Sequence, residues 1–265
     1  MAPTSTPAVG ELLRDWRRRR RLSQLDLSIG AEVSSRHLSF VETGRSKPSR
    51  ELLLHLAEEL EVPLRERNTL LLAAGYAPVY PENRLDAEVM APAREALDAV
   101  LAGHSPYPAV IVDGRWNLVA ANDAALAILA EGVAPELLAP PANALRVCLH
   151  PDGLAPRIVN LADYGAHLLT RLQRQALLSG DAALTELHDE LASYPGVHRA
   201  SSAAVEPQDL LFSPLRVRSG DDELLLFSTL ATFGTALDVT LSELAIESFF
   251  PGDAATRDAL RRRFG

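Results

Sequence analysis

The chain has 265 residues, of which 47% are hydrophobic and 23% are charged, and its formal net charge is -9. This length favours two domains, and the composition is that of a globular protein with a sizeable core. Taken as a whole, the acidic total argues against nucleic-acid binding, because phosphate contacts need a basic surface. A single cysteine, Cys148, excludes an internal disulfide and favours a reducing compartment. With neither a transmembrane run nor a signal peptide in the sequence, we expect a cytoplasmic protein with no membrane partner.

The charge is unevenly distributed along the chain. Residues 1–50 contain ten basic and five acidic side chains, whereas residues 81–265 contain 14 basic and 25 acidic ones. Such an asymmetry marks one part of a chain for a different partner. Residues 76–81 include two prolines and no helical period, which indicates a connector. We therefore expect domains at residues 1–76 and 93–265, joined by a linker at 77–92.

The first domain is predicted to contain five short helices. Apolar residues recur at helical spacing from Val9 to Trp16, and Pro63 begins a fifth helix that ends at Gly75. The three helices between them begin after serines suited to N-capping: Ser23, Ser34 and Ser49. The five consecutive arginines at positions 17–21 are interpreted as a solvated helix face whose stems cover apolar surface.

The second and third helices, within residues 23–44, are predicted to form a helix-turn-helix. In such a motif the N-terminal residues of the second helix lie at base edges in the major groove. Arg36 is placed there and can donate two hydrogen bonds to a guanine. The other residues predicted at bases or phosphates are short, polar or basic: Gln24, Ser34, Ser35, Ser39, Arg45 and Lys47.

Residues 22–27, 33–45 and 48–53 resemble the XRE-family (phage-repressor-like) DNA-binding domain, and the similarity extends over about residues 9–75. The resemblance implies that Gln24 holds a phosphate and that Ser35, Arg36 and Phe40 face bases, with Phe40 near a thymine methyl. Packing inside the domain is the alternative role for Phe40. The chain departs from the pattern at Glu32, where the turn often carries glycine. A left-handed backbone there would cost about 1 kcal/mol.

The second domain is predicted to be α+β. Residues 109–113 and 117–121 indicate a β-hairpin, after which Asn122 or Asp123 begins a helix that ends near Ala130. Amphipathic helices are expected near residues 163–179 and 181–194. Strands follow at 210–218 and 223–232, with a third near 244–250, and Asp253 caps a terminal helix. Strands flanking helices in this order are typical of a sensor domain.

Residues 108–122, 149–154 and 227–234 resemble the MmyB-like regulator ligand-binding domain, which has a PAS-like fold. The resemblance implies a sensor of a small apolar molecule, with fatty-acid-like ligands the expectation. We predict that the pocket is lined from the inner sheet face and its helices, with Arg146 or His150 as a polar anchor. The predicted apolar lining is Trp116, Phe212, Leu226, Phe227 and Phe233. Ordinary core packing and structural hydrogen bonds are the alternatives.

No catalytic pattern is complete: residues 103–107 lack the second glycine of a nucleophile elbow, and there is no HExxH, P-loop or GxGxxG. We predict no metal, no enzyme activity and no cofactor other than a bound fatty acid or similar apolar molecule. The predicted fold is α+β, with an N-terminal all-α five-helix helix-turn-helix domain and a C-terminal PAS-like α/β sensor domain.

The predicted function is sequence-specific DNA binding in response to a small hydrophobic ligand. The predicted partners are a double-stranded DNA operator, that ligand and a second copy of the chain. A homodimer is expected because one recognition helix per chain makes few base contacts. A protein-interaction adaptor, or a lipid-binding protein whose helical domain does not read DNA, remains the alternative.

Overall fold

The computed structural model describes residues 8–197 and 213–265. The chain divides into two compact units. The helical unit comprises residues up to Asn83 with Leu177–Ser179 and Thr235–Ser242, and the sheet unit comprises Arg84–Ala176, Gly180–Gly234 and Glu243–Gly265. Among the described residues, no helix is long and apolar enough to cross a membrane.

The first five helices of the chain confirm the five predicted ones. They are α1 (Val9–Arg19), α2 (Gln24–Gly30), α3 (Ser35–Glu42), α4 (Arg50–Glu59) and α5 (Leu64–Ala73). The three predicted serine caps each accept a hydrogen bond from a backbone amide in the first turn: Ser23 from Asp26, Ser34 from His37 and Ser49 from Leu52. Asp26 returns a hydrogen bond to the Ser23 amide and completes a capping box.

The core of the helical unit is built from side chains of all five helices. The predicted inward residues of α2 and α3 are all buried: Leu27, Ala31, Leu38 and Val41. α1 approaches α3 closely at Gly10, where an added Cβ would lie 2.4 Å from the carbonyl oxygen of Val41. Only glycine permits this separation, and it lets the leucines on both helices enter one core.

The turn between α2 and α3 has the left-handed residue that the sequence suggested. Glu32 has a φ of 51°. The turn is held by two hydrogen bonds across it: the amide of Val33 donates to the Ser28 carbonyl over 2.9 Å, and the Ser28 and Ser35 hydroxyls lie 2.8 Å apart. These bonds offset the conformational cost at Glu32 and set the start of α3 relative to α2.

The sheet unit contains five antiparallel strands in the order β2-β1-β5-β4-β3. They are β1 (Ala109–Val112), β2 (Leu118–Ala121), β3 (Leu215–Ser219), β4 (Asp222–Thr232) and β5 (Ala245–Pro251). Both predicted hairpins, β1–β2 and β3–β4, are present. Residues 210–212 of the strand predicted at 210–218 lie outside the described residues. The pairing of β5 with β1 joins the two hairpins into one sheet.

Several helices of the sheet unit pack on the inner face of this sheet. The remaining helices are α6 (Ala91–Gly103), α7 (Asp123–Ala130), α8 (Pro135–Leu138), α9 (Ala144–Leu149), α10 (Leu161–Ser179), α11 (Ala182–Ala192), α12 (Val239–Ser242) and α13 (Ala254–Phe264). The helices predicted after Asn122, near 163–179, near 181–194 and after Asp253 correspond to α7, α10, α11 and α13. α8 and α9 were not predicted, because four and six residues are too few to show a helical period.

Alternation along the strands sends one set of side chains into the main core of the sheet unit. Val110 and Val112 of β1 belong to this core together with Leu224 and Leu226 of β4, and all four are buried. The buried residue Leu172 of α10 belongs to the same core. This layer between sheet and helices is where a small-molecule site is expected in a domain of this kind.

Candidate DNA-binding surface and ligand cavity

The predicted DNA-binding residues lie at the start of α3 and in the segment that follows it. Ser34, Ser35 and Arg36 are exposed, Ser39 and Phe40 are half-buried, and Arg45 and Lys47 are exposed. The side chain of Ser34 is occupied as the N-cap of α3, and the hydroxyl of Ser35 contacts that of Ser28. The Arg36 guanidinium is therefore the long, forked donor at this end of the helix.

Phe40 lies between two of the predicted arginines. The guanidinium carbon of Arg36 is 5.3 Å from the centre of the Phe40 ring, and that of Arg45 is 5.9 Å from it. Both cations are within the range of a cation–π contact, which also restricts their rotamers. The half-buried ring thus orients two charged side chains, and its contact with a thymine methyl stays a prediction.

A buried ion pair fixes α3 to the helices before it. Arg17 donates to the Glu42 carboxylate from Nε over 2.7 Å and from Nη2 over 2.9 Å, and the Glu42 side chain is fully buried. Gln24 Nε2 donates to the same carboxylate over 2.7 Å. Burial opposes ionisation of Glu42, but the hydrogen bonds from Arg17 and Gln24 outweigh it and lower the pKa of the carboxyl. α1, α2 and α3 therefore share one anionic centre.

The contacts of two arginines correct the sequence interpretation of the arginine run. Arg17 is buried, so the arginine run is not simply a solvated face. Arg20 is also structural, because its guanidinium donates to the carbonyls of Leu60 and Glu61 at the end of α4. The amide of Gln24 already bonds Glu42, although the second hydrogen on its nitrogen remains for a phosphate.

A cavity of about 70 Å³ lies in the layer between the inner sheet face and helices α7, α9 and α10. Its walls are almost entirely apolar. The lining consists of Pro108, Val110, Trp116, Ala125, Ile128, Leu129, Ala144, Leu145, Cys148, Leu154, Tyr164, Leu168, Leu215, Leu226, Glu247 and Phe249. Trp116 and Leu226 are the two predicted pocket residues among them, and Trp116 Nε1 is held by the Gln175 side chain over 2.8 Å.

Four of the other five predicted pocket residues lie outside this lining: Arg146, His150, Phe227 and Phe233. Phe227 follows Leu226 in β4 and therefore points to the opposite sheet face, where it stacks on Phe250 with ring centres 5.4 Å apart. Phe233 lies beyond the end of β4. The fifth, Phe212, lies outside the described residues.

The two predicted polar anchors, Arg146 and His150, are therefore not in the cavity wall. Arg146 forms a two-pronged ion pair with Glu190, with distances of 2.8 and 2.7 Å. His150 packs edge-on against Tyr194 with ring centres 5.0 Å apart and accepts from the Asp152 amide. Both residues therefore have the structural roles that the sequence allowed as an alternative.

The polar groups that do line the cavity were not predicted. Glu247 is buried, and its Oε1 accepts from Ser228 Oγ over 2.8 Å and from Arg171 Nη1 over 3.3 Å. Burial raises the pKa of Cys148 to about 12 and raises the pKa of Tyr164 well above its ordinary value, so both stay protonated. Side chains alternate along β5, so Glu247 lies on the inner sheet face together with Phe249. This position could be recognised only once the strand register was known.

Two family models match the chain. A helix-turn-helix domain model matches residues 8–70, which include α1 to α4 and the candidate DNA-binding surface. A model described as the MmyB-like transcription regulator ligand binding domain matches residues 93–262, which include all five described strands and the cavity. No curated protein matches the chain. The chain therefore belongs to the MmyB-like transcription regulators, in which a DNA-binding helix-turn-helix domain accompanies a ligand-binding domain.

Proposed function

We propose that this protein recognises a specific DNA operator through α3 and that a small hydrophobic ligand in the cavity changes its operator affinity. The observation that carries the proposal is the exposed Arg36 at the start of α3, oriented by the Phe40 ring. Arg36 reads a guanine edge in the major groove, where a two-pronged arginine contact discriminates well between bases. Arg45 and Lys47 contact the phosphates that set the register of the helix on the duplex.

The protein binds its operator as a homodimer. One α3 helix covers a single half-site, and two copies separated by about one DNA turn supply the contacts that a specific regulator needs. The acidic remainder of the chain is repelled by the duplex, which favours approach through the basic first fifty residues. As a DNA-binding regulator, it acts in the cytoplasm.

The ligand has an aliphatic, fatty-acid-like body. The support is the apolar wall of the cavity, which lies between the sheet and helices α7, α9 and α10. Its volume of about 70 Å³ is smaller than the roughly 150 Å³ cavity that holds a benzene ring. Binding therefore has to displace the lining elements, and a ligand that requires such a displacement shifts the protein between two conformations.

DNA selection tests the proposal. The full chain is incubated with a pool of random duplexes, and its affinity for the enriched sequence is compared with that for a scrambled duplex over a range of salt concentrations. We expect a defined sequence with two half-sites and an affinity that falls steeply with salt. Failure to enrich any sequence would favour the adaptor or the lipid-binding alternative.

Alanine variants of three basic residues test which side chains recognise bases and which contact phosphates. Arg36→Ala should weaken binding to the selected sequence by about 5- to 150-fold while leaving the scrambled duplex nearly unaffected. Lys47→Ala should weaken both duplexes alike and reduce the salt dependence by about one ion. Arg218→Ala, an exposed arginine on β3, is the control and should change neither affinity. Equal effects of Arg36→Ala and Arg218→Ala would show that Arg36 does not read bases.

A further inference from the structure

We propose that Tyr76 is a positioning residue for DNA binding. It holds the ammonium of Lys47 and the backbone next to it, so that the contact of Lys47 with a DNA phosphate depends on this tyrosine. The proposal rests on the proposed function and adds the residue that prepares one of its phosphate contacts. Tyr76 follows α5 and lies beyond residue 70, where the match to the helix-turn-helix model ends.

The aromatic ring of Tyr76 contacts the side chain of Lys47, which is the only lysine in the chain. Lys47 Nζ lies 4.8 Å from the ring centre, within the range of a cation–π contact. A free lysine side chain has many rotamers, and fixing them on a phosphate costs entropy. Held over the ring, Lys47 has lost part of this freedom before DNA arrives, so the phosphate contact costs less free energy. The ammonium has three donors, and the ring leaves donors available for a phosphate oxygen.

The backbone around Lys47 is held on both sides. The amide of Ser46 donates to the carbonyl of Phe40 in α3 over 3.1 Å. On the other side, the Tyr76 hydroxyl donates to the Pro48 carbonyl over 2.9 Å. Lys47 therefore lies between a hydrogen bond to α3 and a hydrogen bond to Tyr76. A phosphate contact made from this position is fixed relative to α3 and sets the register of that helix on the duplex.

The end of α5 brings Tyr76 to this place. Gly75 has a φ of 78°, which turns the chain out of the helix, and the Tyr76 amide donates to the Leu71 carbonyl over 2.8 Å. An added Cβ at Gly75 would lie 3.5 Å from Lys47 Nζ, so the lysine lies close to the end of the helix. Tyr76 itself is half-buried and packs against the core of the helical unit, which makes its ring a rigid support.

Ordinary core packing is the alternative role for Tyr76. A tyrosine that only stabilised the fold would affect DNA binding to the same extent whether or not Lys47 was present. The positioning role acts through Lys47, so the effect of replacing Tyr76 must disappear when the lysine is absent. A double-mutant cycle on these two residues distinguishes the two roles.

The cycle is measured on the full chain by anisotropy with the selected and the scrambled duplex. Tyr76→Leu should weaken binding to both by about two- to fivefold, because an exposed cation–π contact is lost. Tyr76→Phe keeps the ring and should retain most of the affinity. Added to Lys47→Ala, Tyr76→Leu should cause no further loss. Tyr80→Leu is the matched control, since its ring contacts Arg67 instead, and it should change neither affinity.

Two results of the cycle would overturn the proposal. One is an equal loss when Tyr76→Leu is added to the wild type and to Lys47→Ala. The other is a loss with Tyr80→Leu as large as that with Tyr76→Leu.

Nuclear magnetic resonance tests the contact itself without DNA. Because the chain has a single lysine, isotope labelling of lysine gives one side-chain signal from the full chain. Protons over the face of an aromatic ring are shifted upfield. We expect this shift for the Hε protons of Lys47 in the wild type and in Tyr76→Phe, and its loss in Tyr76→Leu. An unshifted signal in the wild type would overturn the proposal, even if Tyr76→Leu did not fold.

The two measurements separate this inference from the proposed function. If the chain binds no duplex, the proposed function fails and the positioning role fails with it. If DNA binds but the cycle or the lysine signal gives the contrary result, the role of Tyr76 alone is lost. If no sequence is enriched, the cycle is still measured with a random duplex, because a phosphate contact does not depend on sequence.

Discussion

Replacing Glu42 by leucine should destabilise the helical unit severely. The substitution leaves the Arg17 guanidinium in a nearly buried position, with the Leu22 carbonyl as its remaining hydrogen-bond acceptor. Arg17 loses two charge-assisted hydrogen bonds, each contributing about 1.5–3 kcal/mol, and Gln24 loses its bond to the same carboxylate. Removing one partner of a buried ion pair costs about 3–5 kcal/mol, which agrees with that sum. This is a large part of the roughly 5–15 kcal/mol that stabilises a typical domain.

Hydrogen exchange by mass spectrometry on the full chain measures this effect where it arises. Amides of α1, α2 and α3 should lose protection in Glu42→Leu, whereas peptides from β1 and β4 should exchange as in the wild type. Urea unfolding followed by the same method gives the free energy of unfolding of the helical unit.

The double replacement Arg17→Met/Glu42→Leu provides the decisive control. An apolar pair of similar volume leaves neither charge buried, so most of the lost stability should return. The reasoning would be refuted if Glu42→Leu changed the free energy of unfolding by less than about 1 kcal/mol, or if the double variant were as unstable as the single one.

Three further predictions concern the acid dependence of stability, the Phe40 ring and two glycines. Because the pKa of Glu42 is lower in the folded than in the unfolded chain, its stabilising contribution is complete above the unfolded pKa and is lost as the pH falls through the folded value. Urea unfolding of the wild type should show this acid dependence, and Glu42→Leu should show less of it, since Asp26 and Glu51 also have a lowered pKa. Phe40→Leu should weaken binding to the selected DNA by about five- to thirtyfold in an anisotropy titration, since two cation–π contacts of about 0.5–1 kcal/mol each are removed; an unchanged affinity would contradict the orienting role. Gly10→Ala should lower the free energy of unfolding by about 1–3 kcal/mol because its Cβ would meet the backbone of Val41, whereas Gly103→Ala, with no atom within 4 Å, should raise it by about 0.5–1 kcal/mol; calorimetric melting distinguishes the two signs.

The local elements of this protein are determined by its sequence. Helix caps such as Ser23 and Asp253 act within four residues, and the hairpin turns join strands that are neighbours in the chain. Such interactions need no knowledge of distant residues, so five helices, two hairpins and the exposed start of α3 could all be predicted.

The contacts that make the two sites were decided by the tertiary structure. Arg17 meets Glu42 across 25 positions, and Val110 pairs with Glu247 when β5 joins β1. The pairing of Leu226 with Pro251 across β4 and β5 determines that Leu226 faces the cavity while its neighbour Phe227 does not, because adjacent strand residues point to opposite faces. The amino-acid composition and the hydrophobic period of a strand are the same in whichever register it pairs. Long-range pairing alone therefore selects which charged and aromatic side chains are buried together, and with them the chemistry of the cavity.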